Sequence, residues 1–247
     1  MLYELIFISS FIVFFFGIFI IVAMISNQVF SKILDDVNNL AGRSEKESVS
    51  VRDLSVKYVL IKRIIDFSFS FVSLFLSAPI IAFIVVAIKL DSKGPALYKT
   101  QRIGKNGKLF FAYKFRTMKI IEELSENNHL SSFRDPRITR VGLFLRKTAL
   151  DELPNILNVL LGNMSIVGTT IAREFEYENI PKNYKEIIRK YKPGLTSLWV
   201  VSRDRQMYSY KRRLLYDLYY IENYSLKLDL SIIYKTFILS LGETASS

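Results

Sequence analysis

The chain has 247 residues, of which 50% are hydrophobic, and it carries a formal net charge of +11 at pH 7. It contains no cysteine and one histidine, His129, which excludes disulfide bonds and thiolate nucleophiles and argues against a multi-histidine metal site. This composition favours a membrane protein with a basic surface that suits anionic lipid, phosphorylated substrates or nucleic acid.

The first apolar stretch, residues 5–25, contains no charged residue and is long enough to cross a bilayer as a helix. We interpret residues 1–28 as an N-terminal transmembrane anchor. A cleaved signal peptide is the alternative, but no basic segment precedes the stretch and no small-x-small cleavage site follows it. The polar residues 29–61 are typical of a juxtamembrane connector.

A second apolar stretch occupies residues 62–90, with Lys62 and Arg63 at one end and Lys89 at the other. Pro79, preceded by Ser77, predicts a sharp kink because proline removes a helical hydrogen bond. Basic residues at both ends fit a re-entrant helix that enters the bilayer, bends and leaves on the same face. A plain kinked span is the alternative. Either topology is compatible with a cytoplasmic position for the basic segment that follows.

Beyond residue 90 the pattern predicts a compact domain over residues 91–243. Alternation around Asn106-Gly107 predicts a β-hairpin near residues 97–118. Residues 138–163 read as helix, with Pro154 tolerated if Asp151 lies at the entrance of a new helix. Residues 211–241 are also helical by pattern.

Asp151 and Glu152 are adjacent carboxylates in the otherwise apolar run TALDELPNIL. Basic residues crowd the sequence around this pair, and the candidates for phosphate binding are Lys114, Arg116, Arg137 and Arg146. The arginine fork matches phosphate oxygens two at a time. A carboxylate beside cations can bind a divalent metal, for which Mg²⁺ is the natural ion, or attack phosphorus. Each basic cluster taken alone also fits a solvated surface or a lipid contact.

The motifs KRIIDFSFS, SKGPALYKTQRIGKNGKLFFAYKFRTM, DPRITRVGLFLRKTALDELPNILNVLLGNMSIVG, KPGLTSLWVVS and YDLYYIENYSLKLDLSIIYKT occur in this order. Together they resemble the bacterial sugar transferase family of monotopic phosphoglycosyl transferases, from about Lys62 to Thr236. The expected fold class is therefore α+β and mostly helical. It combines a re-entrant membrane helix broken at Ser77 and Pro79 with a cytoplasmic catalytic domain that has a short β-hairpin.

The resemblance implies transfer of a phosphosugar from a UDP-sugar to undecaprenyl phosphate at the bacterial inner membrane, with release of UMP, as the first step of surface-glycan synthesis. It implies that Asp151 is the nucleophile and that Glu152 helps to hold Mg²⁺. Arg146 matches the arginine before the acid pair, and Lys114, Arg116 and Arg137 match other basic family positions.

One segment departs from the family pattern, which usually runs Gly-Asp-Met-Ser-hydrophobic-Val-Gly-Pro-Arg-Pro. Here Asn163 replaces the aspartate, and Thr169, Thr170 and Ile171 replace the Pro-Arg-Pro segment. A cation is lost where a negatively charged donor is expected to bind. Arg173 is the nearest candidate to substitute for it.

Two other functions compete with an active transferase. A non-catalytic relative that binds or scaffolds a glycan assembly complex would explain the lost Pro-Arg-Pro segment. A membrane-tethered nucleic-acid binder would explain only the charge, so we expect no nucleic-acid partner. The sequence leaves open a homo-oligomer and an association with glycan-assembly enzymes, and it does not identify the sugar.

Overall fold

The computed structural model describes residues 22–40 except 25, 27, 31 and 34, together with residues 55–119, 135–171, 180–202 and 210–243. The predicted anchor lies mostly outside the described residues. His129 and Arg173 also lie outside them.

The long helix α1 spans Val56–Asp91 and contains Pro79. It begins at Val56, six residues before the predicted start at Lys62. Ser55 is the residue that precedes its first turn. It is the one helix among the described residues that is long and apolar enough to cross a membrane, with a mean hydropathy of 2.7 over its most apolar window. Phe75 and Phe83 are 76% and 74% exposed, so this is not the buried core helix of a soluble domain.

One face of α1 is buried and carries Asp66, Ser70, Ser77, Ile84 and Ile88. These positions recur every four or seven residues and therefore lie along one side of the helix. The Ser77 hydroxyl donates to a carbonyl in the preceding turn at 3.3 Å, a bond that often accompanies helix bending. Helical geometry continues through Pro79, and the re-entrant break remains a prediction.

Both ends of α1 contact the same folded domain. Near its start, the Arg63 guanidinium donates to the carbonyl oxygens of Val159 and Leu160, each at 2.8 Å. Near its end, Ile88 packs in an apolar cluster with Phe115. The domain therefore contacts the helix near both of its ends.

The predicted hairpin is confirmed. Strands β1 (Leu97–Ile103) and β2 (Leu109–Phe115) pair antiparallel. Asn106 and Gly107 in the turn both have positive φ, 59° and 75°, the conformation that favours Asn-Gly in tight turns.

The predicted helix over 138–163 is three shorter elements. Helix α2 spans Arg140–Lys147, a 3₁₀ helix spans Leu150–Asn155, and α3 spans Ile156–Leu161. Ala149 separates the first two with a left-handed backbone, φ 54°. Pro154 lies in the 3₁₀ helix, before α-helical geometry begins, so it does not interrupt an α-helix.

A second small sheet joins β3 (Ser165–Val167) to the parallel strand β4 (Gly194–Thr196), with helix α4 (Lys182–Ile188) between them in the chain. The predicted C-terminal helix is two helices, α5 (Tyr210–Asn223) and α6 (Leu226–Glu243). They are separate because Ser225 caps α6, its hydroxyl accepting from the Leu228 N–H at 3.2 Å.

The main apolar core lies between these helices, the second sheet and helical residues within 22–40, which we call the N-terminal helix. Ile33 and Val37 of that helix are 2% and 0% exposed and pack in one cluster with Leu228 and Ile232 of α6. The N-terminal helix is therefore part of the folded domain.

Candidate active site

The acid pair lies in the first turn of the 3₁₀ helix, which begins at Leu150, directly after the left-handed residue Ala149. The apolar neighbours Leu150 and Leu153 pack on the cluster that contains Ile88 at the end of α1. Apolar packing thus holds the turn beside the end of the membrane helix, and Asp151 and Glu152 remain at the surface of that cluster.

Two asparagines fix this turn to the hairpin. The fully buried Asn155 accepts from the Tyr113 N–H of β2 at 2.9 Å. The equally buried Asn158 donates to the Phe111 carbonyl at 3.0 Å. Because unpaired buried polar groups are costly, these bonds specify how β2 lies against the acid pair.

Lys114 of β2 forms an ion pair with Glu152. Asp151 is half-buried, and burial raises its pKa above the usual range for aspartate, while the charges of Lys114 and Arg146 act in the opposite direction. Glu152, a like charge, adds to the increase. Desolvation makes the Asp151 carboxylate more basic, whereas the two nearby cations favour its ionised form.

Arg146 lies in α2 and its charge acts on Asp151, while its predicted contact with phosphate remains a prediction. Its Nε donates to the Thr117 hydroxyl at 2.9 Å. Thr117 can approach α2 this closely because residue 142 is glycine. A Cβ on Gly142 would lie 2.0 Å from the Thr117 carbonyl oxygen, so only glycine fits there. Thr117 was not singled out from the sequence, because its role depends on this contact between distant residues.

Arg116 lies elsewhere, at the end of α1. Its Nη2 donates to the Ser92 carbonyl at 2.7 Å and to the Ile88 carbonyl at 3.3 Å. The side chain is 6% exposed, and its Nε and Nη1 have no hydrogen-bond partner among the described residues. Arg116 therefore caps the carboxyl end of the helix, and its predicted contact with phosphate remains a prediction.

Arg137 forms an ion pair with Asp135, at 2.6 Å between Nη2 and Oδ2. The guanidinium lowers the pKa of Asp135 to about 2. The Arg137 guanidinium is thus already bound to a carboxylate. The phosphate contact predicted for Arg137 is not tested by this geometry.

The side-chain donors of the acid pair fit an Mg²⁺ ion whose coordination shell is completed by phosphate oxygens. No group of three or more His, Cys, Asp or Glu side chains is placed to hold a metal within the described part of the chain. Mg²⁺ commonly uses one or two carboxylates together with substrate phosphates and water. Glu152, with Asp151 beside it, supplies such carboxylates.

A sequence model of the bacterial sugar transferase family matches residues 57–243. The chain belongs to this family. The match begins at the first turn of α1 and ends with α6, so it includes the membrane helix, the hairpin and the acid pair, and it excludes the N-terminal helix.

Curated relatives in the family share more than a third of the aligned residues with this sugar transferase. An undecaprenyl-phosphate galactose phosphotransferase of Salmonella typhimurium is 37% identical over 81% of this chain and 41% of its own length. The exopolysaccharide production protein PSS of Rhizobium leguminosarum bv. phaseoli is 38% identical over 74% of this chain and 96% of its own length. The chain thus spans about two fifths of the first relative and nearly all of the second.

The segment that departs from the family pattern is held by a buried acid of α5. The Thr170 N–H and hydroxyl donate to Asp217 Oδ1 at 2.8 and 3.0 Å. Asp217 is 5% exposed, and burial raises its pKa to about 6 although the bonds from Thr170 lower it. In this sugar transferase, Asp217 therefore binds neutral donors at the position where the family usually has an arginine.

Asn163, the other departure, donates its side-chain amide to Asn158 Oδ1 at 3.3 Å. A carboxylate at residue 163 could not donate this bond and would face the acceptor Asn158 Oδ1. Asn163 thus fits the asparagine network that fixes the acid pair to the hairpin.

A further acid, Asp229, joins α6 to the start of α1. It accepts from Lys62 at 2.7 Å, from the Tyr58 hydroxyl at 2.9 Å and from the Tyr220 hydroxyl at 2.7 Å. Asp66, which sequence reasoning did not single out, accepts from the Ile166 N–H at 3.0 Å. These bonds attach the basic end of the membrane helix to the domain.

Proposed function

We propose that the chain transfers a phosphosugar from a UDP-sugar to undecaprenyl phosphate, with Asp151 as the nucleophile. The observation that carries this proposal is the half-buried carboxylate of Asp151, set between the cations Lys114 and Arg146 and beside Glu152 at the end of a membrane helix. The family membership and the names of its relatives support the same reaction class.

In the first step, a carboxylate oxygen of Asp151 attacks the phosphorus that carries the sugar. A new oxygen–phosphorus bond forms while the bond to the bridging oxygen of the donor diphosphate breaks, and UMP leaves with that electron pair. In the second step, an oxygen of undecaprenyl phosphate attacks the same phosphorus and displaces Asp151. The carboxylate is regenerated, and the product is a lipid diphosphate-linked sugar.

The surrounding residues hold and neutralise the donor. Lys114 and Arg146 lie close enough to Asp151 to act on its pKa, so their charges also reach the phosphorus that it attacks. Glu152 would hold Mg²⁺, which when bound neutralises diphosphate charge. Burial of Asp151 raises its pKa and makes its carboxylate more basic, and the charges of Lys114 and Arg146 oppose that rise.

The attachment of α1 at both ends supports a re-entrant position in the membrane. A straight span would require the domain to lie alongside the apolar helix, within the hydrocarbon, in order to contact both Arg63 and Ile88. A helix that bends near Ser77 and Pro79 leaves both ends at one face and exposes mainly apolar side chains to lipid. We place that face on the cytoplasmic side of the bacterial inner membrane, where UDP-sugars are available.

The test is UMP release by the full chain in nanodiscs, with Mg²⁺, undecaprenyl phosphate and a panel of UDP-sugars. We expect release that depends on the lipid and on one sugar, and that Asp151→Asn abolishes. Glu186→Gln, which removes an exposed carboxylate from α4, is the matched control and should retain activity. A folded wild-type protein that releases no UMP with any donor would contradict the proposal.

That negative outcome would favour the second candidate, a non-catalytic relative that binds or scaffolds glycan-assembly enzymes. The binding of Thr170 to Asp217, where a cation is usual in the family, is the observation in its favour. Association with a second copy or with such enzymes stays a prediction.

A further inference from the structure

A cavity of about 220 Å³ lies between the first turns of α1, the turn of the β-hairpin, strand β3 and the residues just before β4. None of the residues assigned to the acid pair or its cations lines it. Lys105 lines the cavity at the hairpin turn, whereas Lys114 pairs with Glu152 near the other end of β2. Lys114 lies six residues beyond Lys108 at the hairpin turn, a rise of about 20 Å along an extended strand, so the cavity is separate from the acid pair.

Five cations line the cavity: Lys62, Arg63, Lys105, Lys190 and Lys192. The first two are engaged, Lys62 by Asp229 and Arg63 by backbone carbonyls. The other three lysines form no ion pair with a described residue. Asp66 is the one acid in the lining, and its carboxylate already accepts a backbone bond.

The charges act on one another across this cavity. Burial lowers the pKa of the Lys192 ammonium, and the nearby charges of Arg63, Lys105 and Lys62 lower it further, although Asp66 opposes them. Positive groups are therefore concentrated here beyond what the described acids neutralise. Such a concentration of one sign of charge attracts an anion, which would lower the repulsion among the lysines.

A buried hydroxyl supplies a second, independent sign of a ligand. Ser165 lines the cavity, is 2% exposed, and its Oγ has no hydrogen-bond partner among the described residues. Buried polar side chains are nearly always bonded, so an unpaired one beside a cationic cavity points to a missing acceptor. Phosphate oxygens are such acceptors.

The remaining walls indicate which kind of anion fits. Tyr58 and Tyr224 have ring centroids 4.7 Å apart, and both line the cavity together with Val59. Val59 is 38% exposed and adjoins the exposed apolar surface of α1, where Leu60, for example, is 59% exposed. The cavity is thus at the level where the membrane helix begins. It is also smaller than the ~300–1,000 Å³ typical of sites for drug-sized ligands, which suits a head group better than a nucleotide sugar.

We propose that this cavity binds the phosphate group of a membrane lipid, at a site separate from the acid pair. Lys105, Lys190 and Lys192 surround the phosphate, Ser165 donates to one of its oxygens, and the lipid chains run along the exposed apolar face of α1. The inference goes beyond phosphosugar transfer and rests only on the membrane position of α1. The lipid is either a bulk anionic phospholipid or the polyprenyl phosphate itself, which share this chemistry.

The test is native mass spectrometry of the detergent-purified full chain, titrated with phosphatidylglycerol, phosphatidylcholine or undecaprenyl phosphate. We expect one lipid of either anionic kind to bind more tightly than phosphatidylcholine. Lys105→Gln with Lys192→Gln should weaken this binding about 25-fold, from about fivefold for each lysine. Lys108→Gln with Lys182→Gln, an equal charge change at exposed positions outside the lining, should change it less than twofold.

Ser165→Ala is a milder second variant, because it removes a hydroxyl that no described group uses. It should leave the melting temperature unchanged without lipid and weaken lipid binding about fivefold. Tighter binding of undecaprenyl phosphate than of phosphatidylglycerol would identify the acceptor as the occupant, and equal binding would identify bulk lipid.

Equal weakening by the two lysine pairs, or equal binding of phosphatidylcholine, would overturn the proposal. So would displacement of the lipid by UMP together with loss of UMP binding in the cavity variants, because the cavity would then hold the nucleotide. None of these readouts depends on turnover, so an inactive transferase that binds anionic lipid here would leave the inference standing.

Discussion

Two aspartates of this sugar transferase, one half-buried and one buried, have different kinds of partner. Asp151 lies near two cations, Lys114 and Arg146, whereas Asp217 is bound chiefly by the neutral N–H and hydroxyl of Thr170. Burial raises the pKa of both carboxyls, and that of Asp217 reaches about 6. The difference teaches that two acids desolvated in one fold can have unlike partners: cations oppose the rise in pKa at Asp151, whereas at Asp217 the bonds from Thr170 oppose it first and the charge of Arg213 only after them.

Removing the cation beside Asp151 should have the largest effect. We expect Lys114→Met to slow UMP release at least 100-fold, because one stabilising charge is lost at the reacting phosphate. The pKa of Asp151 should also rise, so that the acid limb of the pH–rate profile moves to higher pH. Lys108→Met, in the hairpin turn, is the control, and an unchanged profile for Lys114→Met would remove Lys114 from the site.

Replacing the second acid should alter stability rather than chemistry. Because the pKa of Asp217 is about 6 in the fold, above the ordinary 3.8, the folded state binds more protons between these values. Stability should therefore fall as pH rises from about 4 to about 6, by up to roughly 3 kcal/mol. Asp217→Asn should abolish this fall, measured as the melting temperature against pH.

Asp135→Asn is the control for that experiment, because Asp135 has a pKa of about 2 and stays ionised over the whole range. Its variant should keep the wild-type slope between pH 4 and 6. A slope that survives in Asp217→Asn would assign the titration to another group.

Removing only the hydroxyl that binds Asp217 should have a moderate effect. We expect Thr170→Val to lower the free energy of unfolding by about 1.5–3 kcal/mol at pH 8, where the carboxylate loses a donor. The loss should shrink at pH 4, where Asp217 is protonated, and Thr170→Ser should restore most of it. Equal losses at both pH values would show that packing, not the carboxylate, is responsible.

Restoring the usual family aspartate at residue 163 should have the smallest effect. Asn163→Asp places a carboxylate against Asn158 Oδ1, so we expect a loss of about 0.5–1 kcal/mol in stability. Asn163→Ala, which removes the whole amide and places no acceptor against Asn158 Oδ1, should cost less. A more stable Asn163→Asp protein would mean that the asparagine network rearranges.

Local patterns predicted the features that depend on neighbours in sequence. The Asn106-Gly107 turn and the position of Asp151 at the start of a new helix were both predicted, because turn and helix-start preferences act over a few residues. The apolar length of α1 was predicted for the same reason. The resemblance added the roles of the acid pair, which spacing alone left open.

Features that depend on distant contacts were missed or altered. Thr170 and Asp217 meet across 47 residues, and the only local sign was an acid within the apolar run YDLYY. Arg116 follows the last residue of β2 and turns toward the end of α1, so it separates from Lys114 although both belong to one basic motif. The lysines of the cavity converge from the hairpin turn and the residues before β4, which no linear spacing reveals.

The N-terminal helix carries a consequence for how the enzyme moves in the membrane. Ser26 donates to the Ser231 carbonyl at 3.4 Å, and Ile33 and Val37 are buried against α6. The described part of this helix is therefore fixed to α6 by burial and by a hydrogen bond. Any displacement of it relative to the bilayer would move α6, and with it the core of the domain.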